Sequence, residues 1–254
     1  MAHMLNKSRA WVMAHSDTVL FSDQLKNWQS LVSQLRLGVP LPYVLGRWEF
    51  FGMEFIVSPD VLIPRPETEL LVENALDWIN KPNMAIRSCV DVGTGSGCIA
   101  IALAIHAPEL SLTAIDINPA ALRIARANAG KHGLLDRIRF VESDLLDSSE
   151  LTGKQFDLLV ANLPYIPSRT LRQLEVSDHE PSLALEGGPD GLVLIRRLLE
   201  TSLSHISPGG ALLLEIEVSQ GKSALALARS AYPQAECLVL PDFSCQDRLL
   251  SIHL

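Results

Sequence analysis

SCVDVGTGSGCIAIALA, residues Ser88 to Ala104, runs from an apolar, β-branched start through three glycines at Gly93, Gly95 and Gly97 into a run of small and aliphatic residues. Such a stretch reads as a buried strand, a tight turn and a helix. Glycine lets the backbone pass close to a ligand, and the N-H groups at a helix start attract polar atoms. A Walker loop is excluded, because no Gly-Lys-Ser/Thr follows. The dinucleotide fingerprint G-x-G-x-x-G also fails, since Cys98 stands at its last glycine. What remains, G-x-G-x-G, is weak alone, and a plain strand-to-helix turn is the competing reading.

Outward from this turn the chain alternates apolar runs with amphipathic ones. SCVDVG, SLTAIDI, IRFVES, FDLLVA, GALLLEI, ECLVL and RLLSIHL are candidate strands. Helices are expected over 97–106, 119–131, 190–205 and 219–231, with a weaker region near 148. Near-continuous apolar strands separated by helices predict a parallel sheet covered on both faces. Only PDFSCQD separates ECLVL from RLLSIHL, too short for a crossover, so these two should run antiparallel. The expected fold is α/β: a seven-stranded, mostly parallel sheet with an antiparallel last strand, the layout of class I methyltransferases. Fold order alone says nothing of chemistry.

Upstream, residues 5–37 carry helical spacing, most simply two helices, with Trp11, Leu20, Leu25, Trp28, Leu31, Val32 and Leu35 facing inward. Gly38 and Pro40 stop the second. WEFFGMEFIV, Trp48 to Val57, predicts two short strands turning at Gly52 and Met53, and LIPRPETELLVENAL leads into a helix that Thr68 can cap. The expected organisation is therefore a helical N-terminal part over 5–42, a β-hairpin and proline-rich linker over 43–80, and a catalytic domain over 81–254. Met-Ala-His-Met at the start reads as a cloning remnant.

Composition narrows the partners. With 48% hydrophobic and 20% charged residues among 254, the chain is an ordinary globular one. A net charge of -8 and a pI near 5.4 oppose direct nucleic-acid binding, which rests on Lys and Arg neutralising phosphates. Cys89, Cys98, Cys237 and Cys245 form no CxxC pair and have no His at ligand spacing, so reduced thiols and no metal are expected. IAIALAI, Ile99 to Ile105, falls far short of the roughly 20 residues of a membrane helix, and no signal peptide precedes it. A cytoplasmic protein with no membrane association is expected.

The strand ends hold the polar residues. Asp116 closes the second strand, ahead of Asn118 and Pro119, a cap and first-turn pair. A carboxylate there can accept from both ribose hydroxyls of an adenosine cofactor; a helix-capping role is the alternative. Ser143 and Asp144 close the third strand, where a carboxylate can accept from an adenine amino group. The fourth ends in VANLPYIPS, Val160 to Ser168. Asn162 can accept an N-H through its side-chain oxygen, and the carbonyl near Leu163 or Pro164 can accept another. Proline fixes φ, and Tyr165 offers a flat face. The group suits a planar NH2 held without a strong base; a bare Asn-x-Pro turn is the bland alternative.

ANLPYIPS resembles the (N/D/S)PP(Y/F) motif of amino-group methyltransferases that use S-adenosylmethionine. Together with LGRWEFFGMEFIVSPDVLIPRPETELLVE, DVGTGSGCIAIALA, EPSLALEGGPDGL, GGALLLEIEVSQ and QDRLL, it makes the chain resemble the release-factor glutamine methyltransferases, the PrmC/HemK family, over about residues 5–254. The resemblance implies a class I S-adenosylmethionine-dependent methyltransferase that releases S-adenosylhomocysteine. Its substrate would be the glutamine of the GGQ motif in class 1 peptide chain release factors, methylated on N5 by a monomer. By position, Gly93, Thr94, Gly95, Ser96, Gly97, Asp116, Asp144, Leu145 and Asn162 would hold the cofactor. Asn162, Leu163, Pro164 and Tyr165 would bind the glutamine, with Asn162, Pro164 and Tyr165 catalytic.

Arg65 and Glu67 match the family block, with no role beyond shaping the cleft. Leu163 replaces a proline, the N-terminal region is shorter than the family's, and Glu217 stands where a glycine is usual. NLPY is also the form seen in ribosomal RNA adenine dimethylases, which the acidic charge disfavours. A ribosomal-protein glutamine methyltransferase would share the chemistry and differ in partner. A nucleoside-binding domain without catalysis would show damage at Asn162 or the glycine turn, and an NAD-dependent oxidoreductase would leave the tetrapeptide without a task.

Overall fold

The computed structural model describes residues 1–81, 86–174, 176 and 179–254. The chain enters through four helices, α1 (Ala2–Leu5), α2 (Arg9–Ala14), α3 (Ser22–Arg36) and α4 (Leu41–Leu45), of which α2 and α3 are the two expected over 5–37. The residues read as a cloning remnant supply most of α1. Ser8 starts α2 by accepting the Trp11 N-H at 3.1 Å. None of α1, α2 and α3 holds a buried residue. Of the positions expected to face inward, Leu25 and Leu35 are exposed, and Trp11, Leu20, Trp28, Leu31 and Val32 are only half-buried. Helices this short enclose too little volume between them to exclude water.

Strands β1 (Arg47–Phe50) and β2 (Met53–Ile56) form an antiparallel hairpin. Its two-residue turn is Phe51-Gly52, one position before the expected Gly52-Met53, with φ of 51° and 69°. Two positive φ values give the turn twist that matches paired strands. A 3₁₀ turn, Pro66–Thr68, then enters α5 (Glu69–Ile79). Thr68 precedes this helix but its side chain does not cap it. The domain start expected at 81 runs into 82–85, which lie outside the described residues.

The main sheet holds β3 (Ser88–Val92), β4 (Ser111–Asp116), β5 (Ile138–Glu142), β6 (Phe156–Ala161), β7 (Ile206–Glu215), β8 (Glu236–Pro241) and β9 (Asp247–His253). Their order is β5-β4-β3-β6-β7-β9-β8. The five from β5 to β7 are parallel, and β9 is antiparallel to both neighbours, as expected. Helices α6 (Cys98–His106), α7 (Pro119–Lys131), α8 (Ser168–Leu171), α9 (Val193–Ser202) and α10 (Gly221–Ala231) connect them. The region near 148 is a 3₁₀ turn, Ser149–Leu151, rather than a helix, and α9 is shorter than the expected 190–205.

Side chains alternate across the sheet because the strand period is two. Cys89, Leu158, Val160, Ala211 and Leu213 face the layer of α5 and α6, where Cys98 to Ala104 are all buried. Val90, Val92, Leu159, Ala161, Leu212 and Leu214 face α9 and α10. Removing a buried leucine such as Leu159 leaves a cavity costing about 2–5 kcal/mol. From β3 the chain winds outward through β4 and β5, then returns to β6 on the other side of β3. That reversal opens a crevice at the carboxyl ends of β3 and β6. Among the described residues, no helix is long and apolar enough to cross a membrane.

Candidate active site

A cavity of about 290 Å³ occupies that crevice. Gly93, Thr94, Gly95, Ser96, Asp116, Asp144, Leu145, Asn162, Leu163 and Pro164 all line it. Gly97 and Tyr165 do not. At Gly97, φ is 80° and an added Cβ would stand 3.1 Å from the Ala125 Cβ, so this glycine serves the packing of α6 against α7.

The glycine turn is held from within. Gly93 and Thr94 both donate their N-H to the Ile115 carbonyl at 2.9 Å, Gly95 donates to Asp116 Oδ2 at 2.9 Å, and Gly97 donates to the Thr94 carbonyl at 2.8 Å. These four N-H groups are thus spent inside the protein, which differs from the ligand-facing N-H groups expected at this helix start. The turn offers space instead. A Cβ on Gly95 would meet nothing within 4 Å, whereas one on Gly93 would meet Leu163 Cδ2 at 3.0 Å. A pyrophosphate needs converging N-H donors, so this arrangement disfavours a dinucleotide. Beneath the turn, Asp91 is fully buried, accepting from the Thr94 hydroxyl at 2.6 Å and the Ala100 N-H at 3.2 Å. Burial pushes its carboxyl up to about 7 against those two hydrogen bonds.

Asp116 accepts one backbone N-H on each oxygen, from Gly95 and from Asn118, both at 2.9 Å. Burial raises its pKa, and these bonds pull it partly back. Each oxygen keeps a lone pair for a further donor. Asn118 takes the cap of α7 by accepting the Ala120 N-H, so capping does not occupy Asp116. Asp144 is engaged by Arg197, Nη2 to Oδ2 at 2.9 Å, an exposed pair at the cavity rim. Ser143, also in the lining, carries a buried hydroxyl with no partner. Leu145, with φ of 54°, turns the chain beneath that edge.

Asn162 follows β6 and donates from Nδ2 to Thr68 Oγ1 at 2.9 Å. Leu163 is buried and packs over Gly93. The Tyr165 hydroxyl donates to Glu215 Oε1 at 3.2 Å, away from the cavity, and burial beside that carboxylate raises the phenol. Two other blocks clamp this segment. Ile166 donates its N-H to Leu185 O at 3.0 Å and accepts from Gly187 at 2.9 Å. A Cβ on Gly187 would come within 2.7 Å of the Pro164 carbonyl. Gln220 donates from Nε2 to the Tyr165 carbonyl at 2.9 Å, while its Oε1 accepts the Glu217 N-H at 3.0 Å. Glu217 accepts the Ser219 N-H at 2.8 Å, so it closes a capping box on the turn that presents Gln220.

Arg65 lines the cavity and ion-pairs with Glu180, a buried carboxylate that also accepts the Ile63 N-H at 3.1 Å. Glu67 is exposed. The proline-rich block and EPSLALEGGPDGL are thereby joined across the cleft. Thr68, Glu180, Glu215 and Gln220 were not marked as site residues by the sequence; the only signal was their place in the blocks that carried the resemblance. The cysteines are free thiols, and no metal-holding group of His, Cys, Asp or Glu occurs among the described residues.

Comparisons with known proteins bear on the family and the fold. The Methyltransferase small domain family matches residues 67–176, and the PrmC N-terminal domain family matches residues 1–46. The release factor glutamine methyltransferase of Koribacter versatilis is 42% identical, over 85% of this chain and 76% of that protein. Its counterpart in Geobacter sulfurreducens is 36% identical, over 97% of this chain and 84% of that protein. Among solved structures, the N-terminal domain of human METTL16 in complex with SAH shares the fold with a TM-score of 0.53 at 18% identity, covering 80% of this chain and 76% of that one. The strand order is that of a class I methyltransferase, and at this identity to curated relatives the chain belongs to the release factor glutamine methyltransferase family.

Proposed function

We propose that the protein methylates the side-chain nitrogen of the GGQ glutamine in class 1 peptide chain release factors, with S-adenosylmethionine as donor. The observation that carries this reading is that Asn162 and Pro164 line the same cavity as the glycine turn, Asp116 and Asp144. Asp116 would hold the ribose hydroxyls, Asp144 and Ser143 the adenine edge beside Leu145, and Gly93 to Ser96 the remainder. The cofactor supplies a sulfonium-activated methyl, whose C-S bond breaks as the N-C bond forms, leaving S-adenosylhomocysteine.

The residues of the chain supply position. An amide nitrogen is a weak nucleophile, so rate depends on holding it in line with the methyl carbon. Asn162 Oδ1 accepts one N-H of the substrate amide and the carbonyl at Leu163 or Pro164 accepts the other, with the proton passing to water as or after transfer occurs. Close packing of Gly187 on the Pro164 carbonyl and the Gln220 bond to the Tyr165 carbonyl hold this segment rigid. Tyr165, its hydroxyl on Glu215, supports the segment from behind. Leu163 lies against Gly93, on the glycine-turn side of the cavity, so replacement of the proline leaves the substrate's carbonyl acceptor in place. We further read the chain as a cytoplasmic monomer that binds protein rather than RNA, with residues 5–42 as a docking part, 43–80 as linker and 81–254 as the catalytic domain.

The test is to incubate the protein and S-adenosylmethionine separately with a purified release factor, ribosomal protein and ribosomal RNA, then map methyl groups by mass spectrometry. A methyl on the GGQ glutamine is expected. Transfer to RNA adenine or to a ribosomal protein, with none on that glutamine, would overturn the reading.

A further inference from the structure

An asparagine side chain has two ends of nearly equal size and opposite polarity, and shape alone does not choose between them. For Asn162 the choice decides the chemistry. With Oδ1 toward the cavity it accepts an N-H from a substrate amide; with Nδ2 there, two NH2 groups would meet. Nδ2 is engaged by Thr68 Oγ1 at 2.9 Å, at the part of the cavity wall that Thr68 itself forms, which leaves Oδ1 for a substrate N-H. Thr68 is 2% exposed and its hydroxyl has stopped serving as a helix cap.

Behind Thr68 lies Glu215, also 2% exposed, at the end of the strand next to the one that Asn162 follows. It accepts from the Tyr165 hydroxyl, and its Oε2 is buried without a hydrogen-bond partner. Burial raises the Glu215 carboxyl; the nearby Thr68 and Tyr165 hydroxyls and Arg248 from β9 pull it back, while Glu67 from the 3₁₀ turn raises it further. Arg248 is itself held by Asp242 at 3.1 Å. No step of the proposed transfer uses Glu215.

We propose that Thr68 and Glu215 are positioning residues that set the orientation of the Asn162 amide. A carboxylate only accepts, so the Thr68 proton turns toward Glu215. The Thr68 oxygen then has only lone pairs left for Asn162, and only the NH2 end satisfies them. Oδ1 is driven toward the cavity by polarity passed from carboxylate to hydroxyl to amide. This inference rests on the glutamine-methylation reading, because it concerns the acceptor that the substrate amide meets.

Three single variants, one double variant and one spectroscopic measurement test it. Thr68→Val keeps the shape and removes the hydroxyl; kcat on release factor is expected to fall by about tenfold or more, the effect of losing one oriented hydrogen bond, with S-adenosylmethionine affinity within about twofold. Thr68→Ser should restore kcat. Glu215→Gln can donate toward Thr68, and should lower kcat without adding to the loss in the double variant with Thr68→Val, as members of one chain do. In ¹⁵N spectra the Asn162 side-chain NH2 should exchange slowly in the wild type and quickly in Thr68→Val. Equal loss in Thr68→Ser and Thr68→Val, additive losses in the double variant, or fast exchange in the wild type would overturn the proposal. A fully active Thr68→Val or Glu215→Gln would also overturn it, while a wild type that leaves the glutamine unmethylated would sink the functional reading instead. Should Thr68→Val not fold, Glu215→Gln and the wild-type exchange rate decide the matter.

Discussion

Asp116 and Asn162 line one cavity, at the ends of the strands on either side of β3, and answer to different tests. Asp116→Ala removes the acceptor proposed for the ribose hydroxyls, so cofactor affinity should fall by about 10- to 100-fold, the worth of one or two hydrogen bonds to a charged group. Calorimetric titration measures this. Asn162→Ala should lower kcat by about 100-fold or more through lost positioning while cofactor affinity stays nearly unchanged, which titration and methyl-transfer rates separate. Asp91 makes a stability prediction. Its folded pKa of about 7 lies above the ordinary carboxylate value because it is buried. The native state therefore binds more protons than the unfolded state between those values, and stability should decline as pH rises from about 4 through 7. Asp91→Asn keeps an acceptor for Thr94 and Ala100 and cannot ionise, so its melting temperature should depend less on pH over that window.

Among the elements, the segment from Asn162 to Ser168 is held largely by residues far from it in the chain. Gly187 and Gly191 press against its backbone; a Cβ on Gly191 would stand 2.2 Å from the Tyr165 carbonyl and 2.4 Å from Gln220 Nε2, at a φ of 74°. Gly191→Ala should displace the segment, destabilise by about 1–3 kcal/mol and cost most of the methyl transfer, as melting curves and kinetics would show. The sequence placed the tetrapeptide at a strand end from its apolar run and proline alone. It could not show that EGGPDGL and the Gln220 turn hold it, because those contacts join residues far apart in the chain. The same holds for Glu217, uninterpretable as a substitution and plain as a cap once the turn is seen.

For the molecule as a whole, stability and ligand binding are linked. A saturating ligand at about 100 times its Kd adds about 2.7 kcal/mol, or roughly 5–10 °C for a domain of this size. S-adenosylhomocysteine should raise the melting temperature by that amount, and Asp116→Ala should remove about half of the rise or more at the same ligand concentration. Stability is also unevenly spread. Since α1 to α3 bury no residue, their amides should exchange with solvent much faster than those of β3, β6 and β7, whose side chains fill both faces of the sheet. Hydrogen-exchange mass spectrometry checks the difference.

The sequence by itself determined the strands, the order of helices between them, the antiparallel end of the sheet and the acids at the strand ends. Each of these follows from local periodicity and turn chemistry, which a few adjacent residues carry. Only the tertiary structure decided the N-terminal helix packing, the internal use of the turn's N-H groups and the direction of the Tyr165 hydroxyl. It alone brought Thr68, Asn162 and Glu215 together from the helix entry and two neighbouring strand ends. Hydrogen-bond partners across such separations are selected by how the elements pack, and in Asn162 that packing chooses which end of the amide faces the cavity.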